Sequence, residues 1–335
     1  MGAWQPMDQS TLFVISVIFI AYLFDFINGF HDAANSIATI VTTGVLTPRQ
    51  AVLWAAFFNL IAFMFFNLMV AKTIGSDLID MKTIDTQLIF SALIGAIFWN
   101  LLTWYYGLPS SSSHALIGGL AGAAIVRGGL ATLKLTGFMK VAIGIFITPV
   151  IGLLVSLSFT YCLMRLLRHK NEFVLNRLFK GFQLTSSALL SLTHGGNDAQ
   201  KTMGIISVLL FSNAWIEGAF HVPFWVVISC QAVISLGTLA GGWRIVHTMG
   251  TKITKLNTLR GCTAETTAAA IIFVSTVFGV PVSTTQTVTG SVAGVGLVSG
   301  LGGTNWRIIR RILFSWLLTI PAAAAIAGGI MMTMC

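Results

Sequence analysis

Charge is what this chain has least of: Asp, Glu, Lys and Arg make up 9% of its 335 residues, against about a quarter in an ordinary soluble domain. A surface so poor in charge cannot face water on all sides, so a soluble globular protein is excluded. The four cysteines, Cys162, Cys230, Cys262 and Cys335, lie far apart, which excludes a disulfide framework and a closely spaced metal motif. Met1 to Ser10 carry neither a basic run nor a small-residue cleavage site, so no secretory or organellar signal is expected. Low-complexity tails and polar linkers are missing too, leaving no room for a soluble accessory domain.

Hydrophobic residues fill the space: 56% of the chain, with a mean hydropathy of +0.87. In hydrocarbon an unpaired backbone amide costs several kcal/mol, so spanning segments must be helices or a closed barrel. The apolar runs reach roughly 20 residues without alternation, which selects helices. The expectation is an all-α polytopic membrane protein. Ten apolar stretches can be marked, near 11–43, 51–71, 88–106, 111–126, 138–166, 182–211, 222–241, 263–280, 283–301 and 312–333. Thr11–Thr43 is long and carries Asn28, Gly29, His31 and Asp32 in its middle, so a broken helix is expected there. The stretches around Pro109 and Pro281 fit either separate spans or re-entrant hairpins, giving about 10–12 membrane segments.

The net charge of +9 does not point to nucleic acid, because the cations are dispersed in loops between apolar runs. The positive-inside rule accounts for them better. Arg165, Arg168, Lys170, Arg177 and Lys180 face a single acid, Glu172. They mark residues 167–181 as a cytoplasmic connection between a first repeat, 1–166, and a second, 182–335. Counting outward, Arg49, the Arg244–Arg260 loop and the Arg307–Arg311 loop fall inside and both termini outside. Lys72, Lys82, Arg127, Lys134 and Lys140 then fall outside, and the last three run against the rule. An odd number of crossings per half turns the second copy upside down, so the expected fold is two inverted repeats with broken helices.

Duplication is visible in the motifs themselves. Gly29-Phe30-His31-Asp32-Ala33-Ala34-Asn35-Ser36 aligns with Gly195-Gly196-Asn197-Asp198-Ala199-Gln200-Lys201-Thr202. Gly107-Leu108-Pro109-Ser110-Ser111-Ser112-Ser113-His114 aligns with Gly279-Val280-Pro281-Val282-Ser283-Thr284-Thr285-Gln286, and small-residue pairs Gly118/Gly122 and Gly290/Gly294 follow. Polar breaks at matching places in two copies mark a secondary transporter.

Asp25, Asp32, Asp198, Lys201 and Glu265 fall in or near apolar segments, where a charge costs roughly 2.5–3.5 kcal/mol and usually marks an ion path. Asp32 and Asn35, three apart, can turn a carboxylate and an amide oxygen to one helical face and offer a hard cation the oxygens it prefers. In the second copy Lys201 replaces that Asn; an ammonium cannot ligate a cation and would fill its place, or simply pair with Asp198. His31, aligned with Asn197, reads either as a packing residue or as a proton-relay member beside a carboxylate. Ser110, Ser111, Ser112 and Ser113, with Ser283, Thr284, Thr285 and Gln286, follow a proline in each half. Hydroxyls and free N–H groups at a helix start bind anions; the plainer role for such residues is capping. Two such starts meeting head to head could enclose a tetrahedral oxyanion.

These motifs resemble the inorganic phosphate transporter (PiT) family, and its bacterial low-affinity phosphate permease branch in particular. Gly29–Asn35 and Gly195–Lys201 match its repeated G-x-N-D-x-x-N-like segment, and Pro109–Ser113 and Pro281–Thr285 its P-x-S-x-[ST]-like segments. The resemblance implies phosphate uptake by symport in a bacterial cytoplasmic (inner) membrane, with phosphate on the Ser/Thr segments and the coupling cation near Asp32 and Asp198. His31 and Lys201 stand where the sodium-coupled members carry Asn. That variant looks like the branch coupled to protons, which takes up phosphate together with divalent metal. Sodium coupling and sulfate, which other members carry, stay as alternatives. No resident cofactor or protein-bound metal is expected: proton, sodium or metal would be cargo. Lipid is the surrounding partner, nucleic acid is not one, and a homo-oligomer is compatible. An intramembrane hydrolase built on Ser113 and His114 is disfavoured because neighbours on a helix point about 100° apart. A passive anion channel differs in that it cannot accumulate its ion.

Overall fold

A computed structural model describes residues 8–334; the start of the segment read for a leader, Met1–Met7, and Cys335 lie outside them. Six helical elements occur twice in the same order. The first set is α1 (Gln9–Thr42), α2 (Pro48–Ile61), α3 (Met69–Lys72), α4 (Thr86–Tyr105), α5 (Ser112–Gly128) and α6 (Leu135–Leu167). The second is α7 (Glu172–Ser212), α8 (Phe224–Ala240), α9 (Trp243–His247), α10 (Thr258–Val277), α11 (Thr284–Leu297) and α12 (Trp306–Met334). The described residues form no strand, only the isolated bridges Ile79–Leu133 and Thr254–Thr304, which recur at matching places.

Capping chemistry sets many of the boundaries, and it too comes in pairs. Asp85 accepts a hydrogen bond from Leu88 N at the start of α4, and Asn257 one from Arg260 N at the start of α10. Ser111 and Ser283 cap α5 and α11 in the same way. Thr47 and Gln50 form a capping box around Pro48 at the start of α2. Asn171 caps α7, so residues 172–181 are helical and the connection between halves shrinks to the turn after α6, shorter than the 167–181 read from charge alone.

Among the described residues, four helices are long and apolar enough to cross a membrane, and up to six if each bent pair counts as one span. α5 has 17 residues and α11 14, about 26 and 21 Å at 1.5 Å per residue, short of a ~30 Å core. Each instead folds back along its predecessor. Gly107 (φ 62°) and Gly279 (φ 66°) end α4 and α10 in the left-handed region that glycine tolerates and lead into Pro109 and Pro281. An Arg127–Asp85 ion pair of 2.6 Å ties the end of α5 to the start of α4. The result is two hairpins. Trp316 donates to the Pro109 carbonyl (2.9 Å) about 15 Å along α12 from its start, so the turn of this hairpin is fixed against the last helix of the other half.

The hairpins pack across the halves: α5 on α12 and α11 on α6. A methyl group at Gly118 or Gly122 would strike the Ile320 or Ala324 carbonyl, and one at Gly290 or Gly294 the Pro149 or Leu153 carbonyl. The small-residue pairs are thus close-approach surfaces.

The expected break at Asn28–Asp32 is absent: α1 is continuous over 34 residues. Its polar side chains find partners on neighbouring helices, so the backbone has no reason to open. The breaks fall between α2 and α3, bent by 78°, and between α8 and α9, bent by 62°. Beyond each bend a wide helical turn grips the hairpin of the other half. Thr73 Oγ1 donates to the Gly279 carbonyl (2.8 Å), and Thr248 Oγ1 to the Gly107 carbonyl (3.0 Å).

Candidate functional site

α1 and α7 bring Asp32 and Asp198 face to face between the first turns of α5 and α11. One amide links them. Asn35 Nδ2 donates to Thr285 Oγ1 (3.0 Å) and Thr284 Oγ1 (3.2 Å). Thr285 Oγ1 passes its own proton to Asp32 Oδ1 (3.2 Å), and Thr284 Oγ1 to Asp198 Oδ2 (3.1 Å). Among the described residues Asn35 Oδ1 has no partner although it is buried, so an acceptor is left beside both hydroxyls.

Asp32 is further held by His31 Nδ1, 2.7 Å from Oδ1. A carboxylate can only accept, so Nδ1 carries the proton of that bond. His31 Nε2 then faces Thr103 and Ser110, each at 3.3 Å, and those two hydroxyls are 2.7 Å apart. Ser112 Oγ lies 2.6 Å from both Asp32 Oδ2 and Asn28 Oδ1, sharing one proton between two acceptors.

On the other side Lys201 has a full set of three acceptors: Asp198 Oδ1 (2.6 Å), the Val282 carbonyl (3.1 Å) and Ser113 Oγ. The ammonium sits among oxygens as a coordinated cation would. Ser113 Oγ also lies 3.2 Å from the Val282 carbonyl. His194 Nε2 is 3.3 Å from Asp198 Oδ2, within ion-pair range but off the line of a hydrogen bond. Ligand atoms of Asp32, His194 and Asp198 all lie within 4.8 Å of one another, fully buried.

Of the residues singled out in the sequence, Asp32, His31, Asn35, Asp198, Lys201, Ser110, Ser112, Ser113, Thr284 and Thr285 converge here. Ser111 and Ser283 spend their acceptors as caps, taking His114 N and Gln286 N at 3.2 Å. Gln286 and His114 face each other, Nε2 to Nδ1 at 3.5 Å. Asn197 turns away, donating to Thr276 Oγ1 on α10 (2.8 Å). Ser113 meets Lys201 and a carbonyl rather than His114, so no nucleophile–base pair forms there. Sequence reasoning used Asn28 only as part of an expected helix break and missed His194. They align with each other, four residues before Asp32 and Asp198, and a polar residue one helical turn ahead of each carboxylate was the available signal.

Two other buried acids stand apart. Asp25 Oδ1 accepts from Thr202 Oγ1 of α7 (2.8 Å). Glu265 on α10 accepts from Thr39 (2.5 Å), Gln183 (3.0 Å) and Ser186, tying α1 and α7 together.

In charge terms the central cluster holds two carboxylates against one obligate cation, Lys201, with His31 and His194 beside them. Taking an uncompensated charge out of water is expensive, so this cluster favours one more positive charge. The hydroxyls and first-turn N–H groups of α5 and α11 supply donors on the same ground. An arrangement with donors for an anion and a deficit of one positive charge suits paired ion binding.

Comparison with known proteins agrees with that chemistry. The profile of the phosphate transporter family matches residues 28–327. A "Probable low-affinity inorganic phosphate transporter" of Rhizobium meliloti (strain 1021) is 52% identical over 324 residues, covering 96% of this chain and 97% of its own. One of the same description from Bacillus subtilis (strain 168) is 42% identical with the same coverage. A solved structure titled "The sodium-dependent phosphate transporter" aligns with a TM-score of 0.87 at 24% identity, covering 96% of this chain and 99% of that one. At that identity the likeness speaks for the fold alone.

Proposed function

The chain belongs to the phosphate transporter family, and we propose that it imports inorganic phosphate across a bacterial cytoplasmic membrane by proton symport. It is a multi-pass membrane protein and, like its relatives, a transporter rather than an enzyme. Phosphate binds at the first turns of α5 and α11, on Ser110, Ser112, Ser113, Thr284 and Thr285, with Ser111, Ser283 and Gln286 holding those turns in shape. Asp32 and Asp198 carry the coupling charge, with His31 and Asn35 as its nearest relay.

The observation that carries this reading is the Asn35–Thr284–Thr285 bridge. It joins both carboxylates through hydroxyls of the second hairpin, and Ser112 of the first hairpin donates to the same Asp32, so anion and cation occupancy are felt through connected hydrogen bonds. The coordination of Lys201 favours protons over sodium: its ammonium already occupies an oxygen-lined position beside Asp198, leaving one negative charge for one proton. Divalent metal travelling with phosphate fits the same deficit. The two halves act as inverted repeats, 1–166 and 182–335, and their relative rocking exposes the site to each side in turn.

Purified protein in sodium-free proteoliposomes should accumulate labelled phosphate when a pH gradient is imposed, and excess sulfate should compete poorly. Uptake that requires sodium at every pH gradient defeats proton coupling, and equal competition by sulfate defeats the choice of anion.

A further inference from the structure

Three arginines at the start of α12 have no part in the transport scheme. Arg307, Arg310 and Arg311 are exposed, and among the described residues neither hydrogen bond nor ion pair engages them. They line a cavity of about 410 Å³ with Leu108 and Phe314. It shares Leu108 and Arg311 with a second cavity of about 490 Å³ beneath the Gly107–Pro109 turn, to which Arg244, His247 and Lys252 also contribute. Among the described residues no carboxylate lines either one. Crowded guanidinium groups with no counter-charge repel each other, and a bound anion relieves that repulsion.

The helix below the arginines identifies the kind of anion. Arg307, Arg310, Phe314 and Leu317 recur at spacings of three, four and three, so they share one face. Phe314 is 66% and Leu317 74% exposed, which extends a lipid-facing strip directly below the basic head. Tyr105, Tyr106 and Trp243 are exposed and line the second cavity, the aromatic placement typical of a membrane–water boundary. A free phosphate ion would use the arginines alone, whereas an amphiphile uses both the arginines and the strip.

We propose that Arg307, Arg310 and Arg311 bind the phosphate headgroup of an anionic phospholipid, with its acyl chains along Phe314 and Leu317. The bound lipid then roofs the cavity under the first hairpin, and its occupancy makes that hairpin's freedom depend on bilayer composition. This site does not depend on the identity of the transported ion.

Native mass spectrometry of the full-length protein, released from mild detergent with phosphatidylglycerol or phosphatidylcholine, tests the proposal. The intact protein should retain phosphatidylglycerol in preference. Each arginine near an anionic surface contributes about fivefold in affinity, so an Arg307→Gln/Arg310→Gln/Arg311→Gln variant should lose about a hundredfold. The substituted positions are exposed and unpartnered, so folding is not at stake. A control, Arg165→Gln/Arg168→Gln/Arg177→Gln, removes equal charge elsewhere and should keep the lipid. Retention by the first variant, equal loss in the control, or displacement of the lipid by excess inorganic phosphate would each overturn the proposal.

Discussion

Lys201 illustrates how much one side chain decides. In the first repeat the corresponding Asn35 splits its amide between Thr284 and Thr285, whereas Lys201 brings a fixed positive charge to the equivalent turn of α7. Lys201→Asn should therefore vacate an oxygen-lined position and make phosphate uptake sodium-stimulated; uptake that is abolished or unchanged in rate at all sodium concentrations would contradict this role. Asp32→Asn keeps the size of the side chain but removes the charge that His31 and Thr285 serve. It should eliminate gradient-driven uptake while leaving size-exclusion behaviour and thermal unfolding near normal, since neutralising a buried carboxylate removes a desolvation cost. The sequence made these residues legible because both copies retain the aspartate in apolar surroundings. It left Asn28 and His194 out of the candidate site because their types differ between copies although their positions do not.

At the scale of elements, pairing of like features was the readable signal, and backbone geometry was not. Proline followed by hydroxyls marked the place of both hairpins while leaving separate spans open, and both small-residue pairs sit where helices nearly touch. Gly122→Val or Gly294→Val should cost several kcal/mol by forcing side chains into carbonyls of the opposite half, visible as a lowered melting temperature and poor recovery from detergent. Asp85→Ala removes both the α4 cap and the partly exposed ion pair with Arg127 and should cost about 1–2 kcal/mol. The misplaced break in α1 has a physical explanation. A polar cluster inside a long apolar run can be satisfied by opening the helix or by side chains arriving from neighbours, and sequence does not display the neighbours. Here Ser112, Ser110, Thr103, Thr284 and Thr285 arrive, so α1 stays whole. The true bends fall next to Phe66-Asn67 and Gly241-Gly242, of which only the glycine pair, with Gly241 at φ 68°, announces itself.

At the scale of the whole molecule the two halves are interlocked rather than side by side. Each hairpin rests on the last helix of the other half and is gripped by the other half's bent pair. A hairpin displaced by ligand must then move the opposite repeat, which gives rocking of the halves a mechanical route. The proposed inverted arrangement predicts a labelling pattern. With Cys162 replaced, single cysteines at Lys170 and Arg307 should react with an impermeant thiol reagent from one side of the membrane, and those at Lys82 and Lys134 from the other. Labelling of all four from the same side would contradict inversion.

The most direct test is an experimental density map of the purified protein saturated with phosphate. Two hydroxyl-bearing helix starts, one from each half, should clasp one tetrahedral anion, within hydrogen-bond reach of Ser112 or Ser113 and of Thr284 or Thr285, beside Asp32 and Asp198. Phosphate contacting residues of one half only, or lying elsewhere while these hydroxyls keep their present partners, would contradict the account.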